Sequence, residues 1–257
     1  MAKSDKSRKA TNWFFSFRNK NGKFSFLKLF FKTFLLLLLF LFAAFITAYL
    51  VSPSPSKLAD SNPISTSLID SRNEDRIEKG LLPIKIKYWV KYRALPVQLI
   101  RAVRIAEDDG FFQHNGFDFN QMWEALKGGL SNIKKLRGAS TITQQLAKNL
   151  YLNEKKSLIR KFLEIPLTIK IEKALSKKRI FEIYINVIEF GEGVFGIERA
   201  SRFYFGKHAS DLTTDECIFF AAMIKRPIYF QKHPFSKQLA FRKRMIRERM
   251  SYYGYIE

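Results

Sequence analysis

The segment AEDDGFFQHNGFD, residues 106–118, places three consecutive acids beside a pair of phenylalanines. Consecutive acids such as Glu107, Asp108 and Asp109 usually lie on a solvated loop, which is one interpretation. A carboxylate held against apolar rings such as Phe111 and Phe112 behaves differently, because loss of water raises its pKa and makes it a usable proton acceptor or donor near neutral pH. The segment is therefore a candidate acid–base site.

A second polar group lies in GASTITQQLAKNLYL, residues 138–152. On a helix, Ser140, Gln144 and Lys148 share one face, while Ile142 belongs to the opposite, apolar face. A serine or threonine here could be a simple N-cap, but a cap does not explain the amides and the lysine that follow. Amides, hydroxyls and one ammonium group suit a sugar diphosphate. The candidate contacts are Ser140, Thr141, Gln144, Gln145, Lys148 and Asn149.

The third segment is RKFLEIPLTIKIE, residues 160–172. Arg160 and Glu164 are four residues apart, with Lys161 beside them, which is also the spacing of an ordinary surface ion pair worth only tenths of a kcal/mol. Pro166 predicts a kink or a restart of the helix, so the geometry should differ from that of a plain surface helix.

The elements that position these residues follow an apolar segment. Residues 29–51 carry no charge after Lys32, and the next charged residue is Lys57, so a helix here is long enough to cross a bilayer of roughly 30 Å. A cleaved signal peptide is the alternative, but the run exceeds a typical signal core and no cleavage site is evident.

The charge of the flanks predicts the orientation of this anchor. The first 32 residues hold nine Lys/Arg and one Asp, a local charge of +8 within a chain whose formal net charge is +22. Positive flanks stay in the cytoplasm, so the rest of the chain should lie outside the inner membrane. This placement excludes nucleic acid as a partner and leaves an anionic membrane or a phosphorylated substrate.

Composition then divides the chain. We expect a basic cytoplasmic tail over 1–32, a single transmembrane helix over 33–51, a Ser/Pro-rich stalk over 52–84 and a mainly α-helical domain over 85–257. The single cysteine, Cys217, has apolar neighbours and is expected to be buried and inert. An apolar stripe from Phe119 to Leu130 predicts a helix that faces either the core or a membrane surface.

Four segments together resemble one family. EDDGFFQHNGFD, GASTITQQLAKNLYL, RKFLEIPLTIKIE and KKRIFEIYINVIEFGEGVFGIERASRFYFGK follow one another as in the peptidoglycan glycosyltransferase domain of penicillin-binding proteins and monofunctional transglycosylases. The resemblance covers roughly residues 95–250 and implies a lysozyme-like helical fold. Lys225 and Arg226 depart from the pattern, since the family usually has an apolar or amide residue before the proline.

The resemblance also implies roles. Such enzymes polymerise lipid II into glycan strands with inversion to a β-1,4 bond, and undecaprenyl diphosphate leaves. Glu107 would be the base, and Glu164 the second essential carboxylate, which orients Arg160 or holds a divalent ion. Lys148, Arg160 and Lys161 would bind the diphosphate, while Asp108 and His114 would be structural.

No tightly bound cofactor is expected; Mg²⁺ or Mn²⁺ would accompany the diphosphate, and no dedicated metal cage is evident. The expected partners are lipid II, the growing glycan strand and the bilayer, with penicillin-binding proteins or division proteins as further candidates. Two alternatives stay open: a membrane-anchored lysozyme-like hydrolase, and a non-enzymatic scaffold of wall synthesis. A hydrolase needs no site for a diphosphate, which residues 138–164 would provide.

Overall fold

The computed structural model describes residues 25–120, 122–123, 140–152 and 157–257, and the chain divides into the units Met1–Val51 and Ser52–Glu257. Helices dominate, which confirms the predicted mainly α class. The helices are α1 Ser25–Val51, α2 Ser67–Glu78, α3 Val97–Glu107, α4 Ile142–Tyr151, α5 Leu158–Ala174, α6 Lys177–Val187, α7 Ile197–Phe205, α8 Thr214–Met223, α9 Pro227–Lys232 and α10 Lys237–Tyr252. Two strands, β1 Glu189–Gly191 and β2 Val194–Phe195, pair antiparallel between α6 and α7.

Helix α1 forms a unit of its own. Within it, Lys28–Val51 has a mean hydropathy of 2.8 and no part of its most apolar window is buried. Its length and composition would let it span a bilayer, although a signal sequence can have the same properties. The described helix therefore agrees with the predicted anchor, and the basic tail before Ser25 lies outside the described residues.

The core of the second unit is built around α3 and α8, which pack against each other and against α10. On α3, Leu99, Ala102 and Val103 recur at helical spacing and are fully buried. Helix α8 is apolar on nearly every side, and its Cys217 is buried as expected. Burial raises the pKa of this thiol to about 12, so it stays protonated and unreactive.

Helix α5 runs unbroken through Pro166, so the restart predicted there is wrong. Proline removes one backbone donor from the helix, at a cost that tertiary packing has to offset. Pro166 and the next residue, Leu167, are both buried, and α5 packs along α4 and α6. Packing therefore keeps the helix continuous where local propensity would end it.

Residues 52–84 differ from the expected stalk. They contain α2, which Thr66 caps by accepting a hydrogen bond from the amide of Ile69. Ile69 is fully buried and belongs to a small apolar cluster with Leu68, Ile84 and Phe195. The segment before α2 is also held, because Arg179 donates hydrogen bonds to backbone carbonyls of the preceding chain. This part of the chain is folded into the second unit.

The predicted Phe119–Leu130 helix is described only in part. Phe119, Met122 and Trp123 are exposed, so these three side chains do not face the core. The remainder of the stripe, including Leu126 and Leu130, lies outside the described residues.

Asn186 fastens the segment before α3 to α6. Its side-chain oxygen accepts from the amide of Val90, and its amide donates to the carbonyl oxygen of Val90, both at 2.9 Å. Gly196 passes close by at φ +79°, where an added Cβ would lie 2.5 Å from the carbonyl oxygen of Asn186.

Asn186→Ala should lower the free energy of unfolding by about 3 kcal/mol, because it leaves two buried backbone groups of Val90 without partners. Denaturant unfolding of the protein in detergent measures the change. Glu248→Ala, at an exposed position on α10, is the control and should change stability by less than about 0.5 kcal/mol. Equal effects of the two substitutions would contradict the assignment.

Candidate active site

Glu107 is the last residue of α3, and its carboxylate meets two other helices. Gln145 of α4 donates from Nε2 to Glu107 Oε2 at 3.0 Å, and Arg242 of α10 donates from Nη2 to Oε1 at 3.2 Å. The side chain of Glu107 is only 8% exposed. The carboxylate is therefore held in place from both sides and away from bulk solvent.

Burial raises the pKa of Glu107 above its ordinary value. The hydrogen bond from Gln145, the charge and hydrogen bond of Arg242, and the charge of Lys225 oppose this effect without cancelling it. The net direction makes Glu107 a better proton acceptor near neutral pH than an exposed glutamate would be.

Tyr184 fixes the orientation of the Gln145 amide. Its hydroxyl is fully buried and donates to Gln145 Oε1 at 2.9 Å. Burial, with the nearby charges of Glu107 and Asp108, raises the pKa of Tyr184 well above its usual value, so the hydroxyl stays a donor. The amide oxygen therefore accepts from the tyrosine, and the amide nitrogen donates to Glu107.

Asp108 and Asp109, the other two of the three consecutive acids, join elements of the fold. Asp108 is 2% exposed and accepts hydrogen bonds from the amide of Ile142 and from His114, both at 2.9 Å. Asp109 accepts from Arg249 and Tyr253 at the end of α10. Asp108 thus joins the start of α4 to the end of α3, as expected of a residue that bonds backbone amides.

His114 is held between two hydrogen bonds. The amide of Gly116 donates to its Nδ1 at 3.2 Å, so the proton lies on Nε2, which donates to Asp108. Asp108, His114 and Asp118 have potential ligand atoms within 4.8 Å of one another. Because both nitrogens of His114 are already engaged, the trio fits a structural network better than a metal site.

Next to Glu107 is a cavity of about 480 Å³, lined by residues from α2, α4, α5, β1 and the α8–α9 connection. Gln145 belongs both to this lining and to the hydrogen bond with Glu107. Five basic side chains line it: Arg72, Lys148, Arg160, Lys225 and Arg226. Such a cavity favours an anionic ligand over a neutral one.

An ion-pair cluster around the buried Glu164 lies beside the cavity. Glu164 is 2% exposed and pairs with Lys161 Nζ at 2.6 Å and with Arg160 Nε at 3.4 Å. Lys161 also donates to Ser140 Oγ at 3.1 Å. Arg160 lines the cavity, whereas Ser140, Lys161 and Glu164 are not among its lining residues. Arg160 is therefore the member of this cluster that faces the cavity.

Two predicted contacts form the start of α4 instead. Thr141 accepts from the amide of Gln144, and the side chain of Gln144 accepts from the amide of Thr141, which makes a capping box. The hydroxyl of Thr141 also donates to the carbonyl oxygen of Gly116. Of the polar residues predicted on this helix, Gln145, Lys148 and Asn149 line the cavity.

Several residues of the site were missed in the sequence. Arg242 reaches Glu107 across 135 positions, and Arg72 reaches Glu189 across 117. No local spacing reveals pairs so distant. Lys225 and Arg226 did carry a signal, because both depart from the expected pattern before Pro227, and both line the cavity.

Comparison with known proteins gives consistent results. The family model described as Transglycosylase matches residues 81–251. A protein of Aromatoleum aromaticum named biosynthetic peptidoglycan transglycosylase is 42% identical over 192 residues, which is 74% of this chain and 83% of that protein. Proteins of the same name from Nitrosomonas eutropha and Chromobacterium violaceum are 46% and 40% identical, over 63% and 75% of this chain and 66% and 85% of their own.

Arg242→Met should raise the pKa of Glu107 further, because it removes a positive charge and a donor that favour the ionised carboxylate. Infrared titration of the carboxyl band follows the change, and a Glu107→Gln variant identifies the band. Arg244→Met, at an exposed position of the same helix, should leave the titration unaltered. A pKa that stays the same or falls in Arg242→Met would contradict the role given to this guanidinium.

Proposed function

Because the chain belongs to the Transglycosylase family, we propose that it is a peptidoglycan glycosyltransferase that polymerises lipid II into glycan strands. A sugar hydroxyl of one unit attacks the anomeric carbon that carries the diphosphate of the growing strand. A β-1,4 bond forms with inversion, the bond to the diphosphate breaks, and undecaprenyl diphosphate leaves with the electron pair. The proton of the attacking hydroxyl passes to a base.

Glu107 is the proposed base. The observation that carries this proposal is a buried carboxylate hydrogen-bonded to Gln145, which itself lines the cation-rich cavity. The raised pKa of Glu107 suits proton transfer, and the charge and hydrogen bond of Arg242 oppose that rise. General base assistance of this kind contributes typically about 10²–10⁴-fold to the rate.

The proposed site for the diphosphate is the cavity. Lys148 of α4, Arg160 of α5 and Lys225 of the α8–α9 connection bring three positive charges to its lining. Fixed cations stabilise the negative charge that develops on a departing diphosphate. Gln145 and Asn149 add polar contacts. Hydrolysis of a finished glycan requires no such cluster, so the lining supports transfer from a diphosphate over a lysozyme-like reaction.

Glu164, Lys161 and Ser140 act as positioning residues in this proposal. Glu164 lies outside the cavity lining and pairs with Arg160, whose guanidinium it can orient. Lys161 ties the same carboxylate to Ser140 ahead of α4. The three would hold α4 and α5 at the separation that the diphosphate needs.

The surroundings of Glu164 are poorly suited to a permanently bound divalent cation. Glu164 is flanked by the basic side chains of Arg160 and Lys161. Its Oε2 pairs with Lys161, whereas its Oε1 accepts no hydrogen bond within the part of the chain that the structure describes. One carboxylate beside two cations is a weak ligand set for Mg²⁺. We therefore assign Mg²⁺ or Mn²⁺, where the reaction uses it, to the substrate diphosphate and propose no tightly bound cofactor.

The location of the substrate supports a membrane-bound enzyme. Lipid II is held in the bilayer by its lipid, and α1 can anchor the domain to the same bilayer. We propose a single pass through the inner membrane with the basic N-terminus in the cytoplasm and the catalytic domain outside. Penicillin-binding proteins and division proteins are candidate partners, and nucleic acid is not.

Glu107→Gln should lower the rate of lipid II polymerisation by about 10²–10⁴-fold, because an amide cannot accept the proton. Electrophoresis of the glycan products from labelled lipid II measures the rate. Affinity for undecaprenyl diphosphate should be retained, since the cavity is unaltered. Glu248→Gln, at an exposed glutamate, is the control. Glycan made at the wild-type rate by Glu107→Gln would remove this residue from the mechanism.

Lys148→Ala should weaken binding of undecaprenyl diphosphate by about tenfold or more, as expected for loss of one charge-assisted hydrogen bond to phosphate. A fluorescence titration in detergent measures the dissociation constant. Lys243→Ala removes an exposed lysine of α10 that does not line the cavity and should have little effect. Equal affinities of the two variants would argue against the diphosphate site.

A further inference from the structure

Helix α2 lies before the region that the family model matches, residues 81–251, yet it is firmly attached to the domain. Asn73 exchanges two hydrogen bonds with the backbone of Ile84, at 3.0 and 2.6 Å. Arg76 donates to the carbonyl oxygen of Leu82. With Ile69 fully buried, these contacts fix both the position and the rotation of α2.

One face of α2 forms part of the cavity wall. Leu68 and Arg72 lie one helical turn apart, and both line the cavity that contains Lys148, Arg160 and Lys225. Arg76, one turn further along, does not line it. The segment that follows the anchor therefore takes part directly in the candidate substrate site.

Arg72 makes a two-pronged ion pair with Glu189 at the start of β1. Its Nε donates to Oε1 at 3.3 Å and its Nη2 to Oε2 at 3.1 Å. Glu189 is buried, and it is the only acid among the described residues of the cavity lining. A carboxylate at this position would repel a diphosphate if no cation compensated it.

We propose that Arg72 is a positioning residue of the donor site: it neutralises Glu189, so that the wall formed by α2 and β1 accepts the diphosphate of a lipid-linked sugar. The identity of this donor rests on the proposed function, whereas the requirement for an anionic ligand rests on the lining alone. The proposal predicts that the effect of removing one residue of the pair depends on the presence of the other. Loss of Arg72 is harmful mainly because Glu189 remains.

The experiment measures the Kd for undecaprenyl diphosphate in detergent. Arg72→Ala should raise the Kd about tenfold or more, because it leaves the charge of the buried Glu189 uncompensated in the cavity wall. Glu189→Gln in the Arg72→Ala background should return the Kd to within about threefold of wild type, because the two sites are directly coupled. Lys79→Ala, which removes an exposed cation just after the same helix and outside the cavity, is the control and should bind like wild type.

Several results would overturn the proposal. One is an unchanged Kd in Arg72→Ala. Another is a double variant whose Kd is as high as that of Arg72→Ala, because removal of Glu189 would not restore binding if loss of Arg72 had merely loosened α2. Glu189→Gln alone decides the question if Arg72→Ala does not fold. That variant removes the acid and should bind at least as tightly as wild type, so weaker binding would give Glu189 a direct role in holding the ligand.

Lipid II polymerisation forms a separate arm. Arg72→Ala should raise KM for lipid II with little change in kcat, and Glu189→Gln should restore KM in the double variant. A wild-type protein that binds undecaprenyl diphosphate but forms no glycan would contradict the proposed function. The binding arm would still decide the role of Arg72, so the two failures are distinguishable.

Discussion

The candidate site depends on one buried carboxylate, Glu107, held between an amide and a guanidinium. Burial disfavours the ionised form of this carboxylate, and the hydrogen bonds from Gln145 and Arg242 offset part of that effect. Each donor comes from a different helix, so the packing of α3, α4 and α10 fixes the protonation behaviour of a single side chain. Tyr184 extends this control, because its hydroxyl determines which end of the Gln145 amide faces the carboxylate.

The three adjacent acids illustrate how neighbours with the same charge acquire different roles. Asp108 meets the backbone amide of Ile142 and the ring of His114, and Asp109 meets Arg249, so each is fully engaged in joining elements. Glu107 instead faces Gln145, which also borders the cavity. Chain direction at the end of α3 therefore separates one carboxylate, the proposed base, from two that hold the structure.

Local patterns in the sequence predicted the parts of the site that are local in space. The apolar face of α4 and the Arg160–Glu164 spacing both correspond to contacts within one helix or its immediate packing. The pairs Arg242–Glu107 and Arg72–Glu189 could not be predicted, because chain topology alone brings such distant positions together. The Ser/Pro-rich composition before α2 concealed a folded helix, since the burial of Ile69 depends on Ile84 and Phe195, which follow later in the chain.

The Arg72–Glu189 ion pair in the cavity wall also affects how readily the proposed product can leave. In the proposed reaction, donor and product share the diphosphate, so attraction that acts equally on both lowers KM but does not accelerate the chemical step. If Arg72 faced the cavity without Glu189, it would add a further cation to Lys148, Arg160, Lys225 and Arg226, and the product would be held more tightly as well. The pair keeps an arginine available to fasten α2 to β1 while adding no net charge. On this argument the wall limits the affinity for undecaprenyl diphosphate to a level from which it can still leave, and Lys148, Arg160 and Lys225 are the lining cations proposed to stabilise the leaving charge.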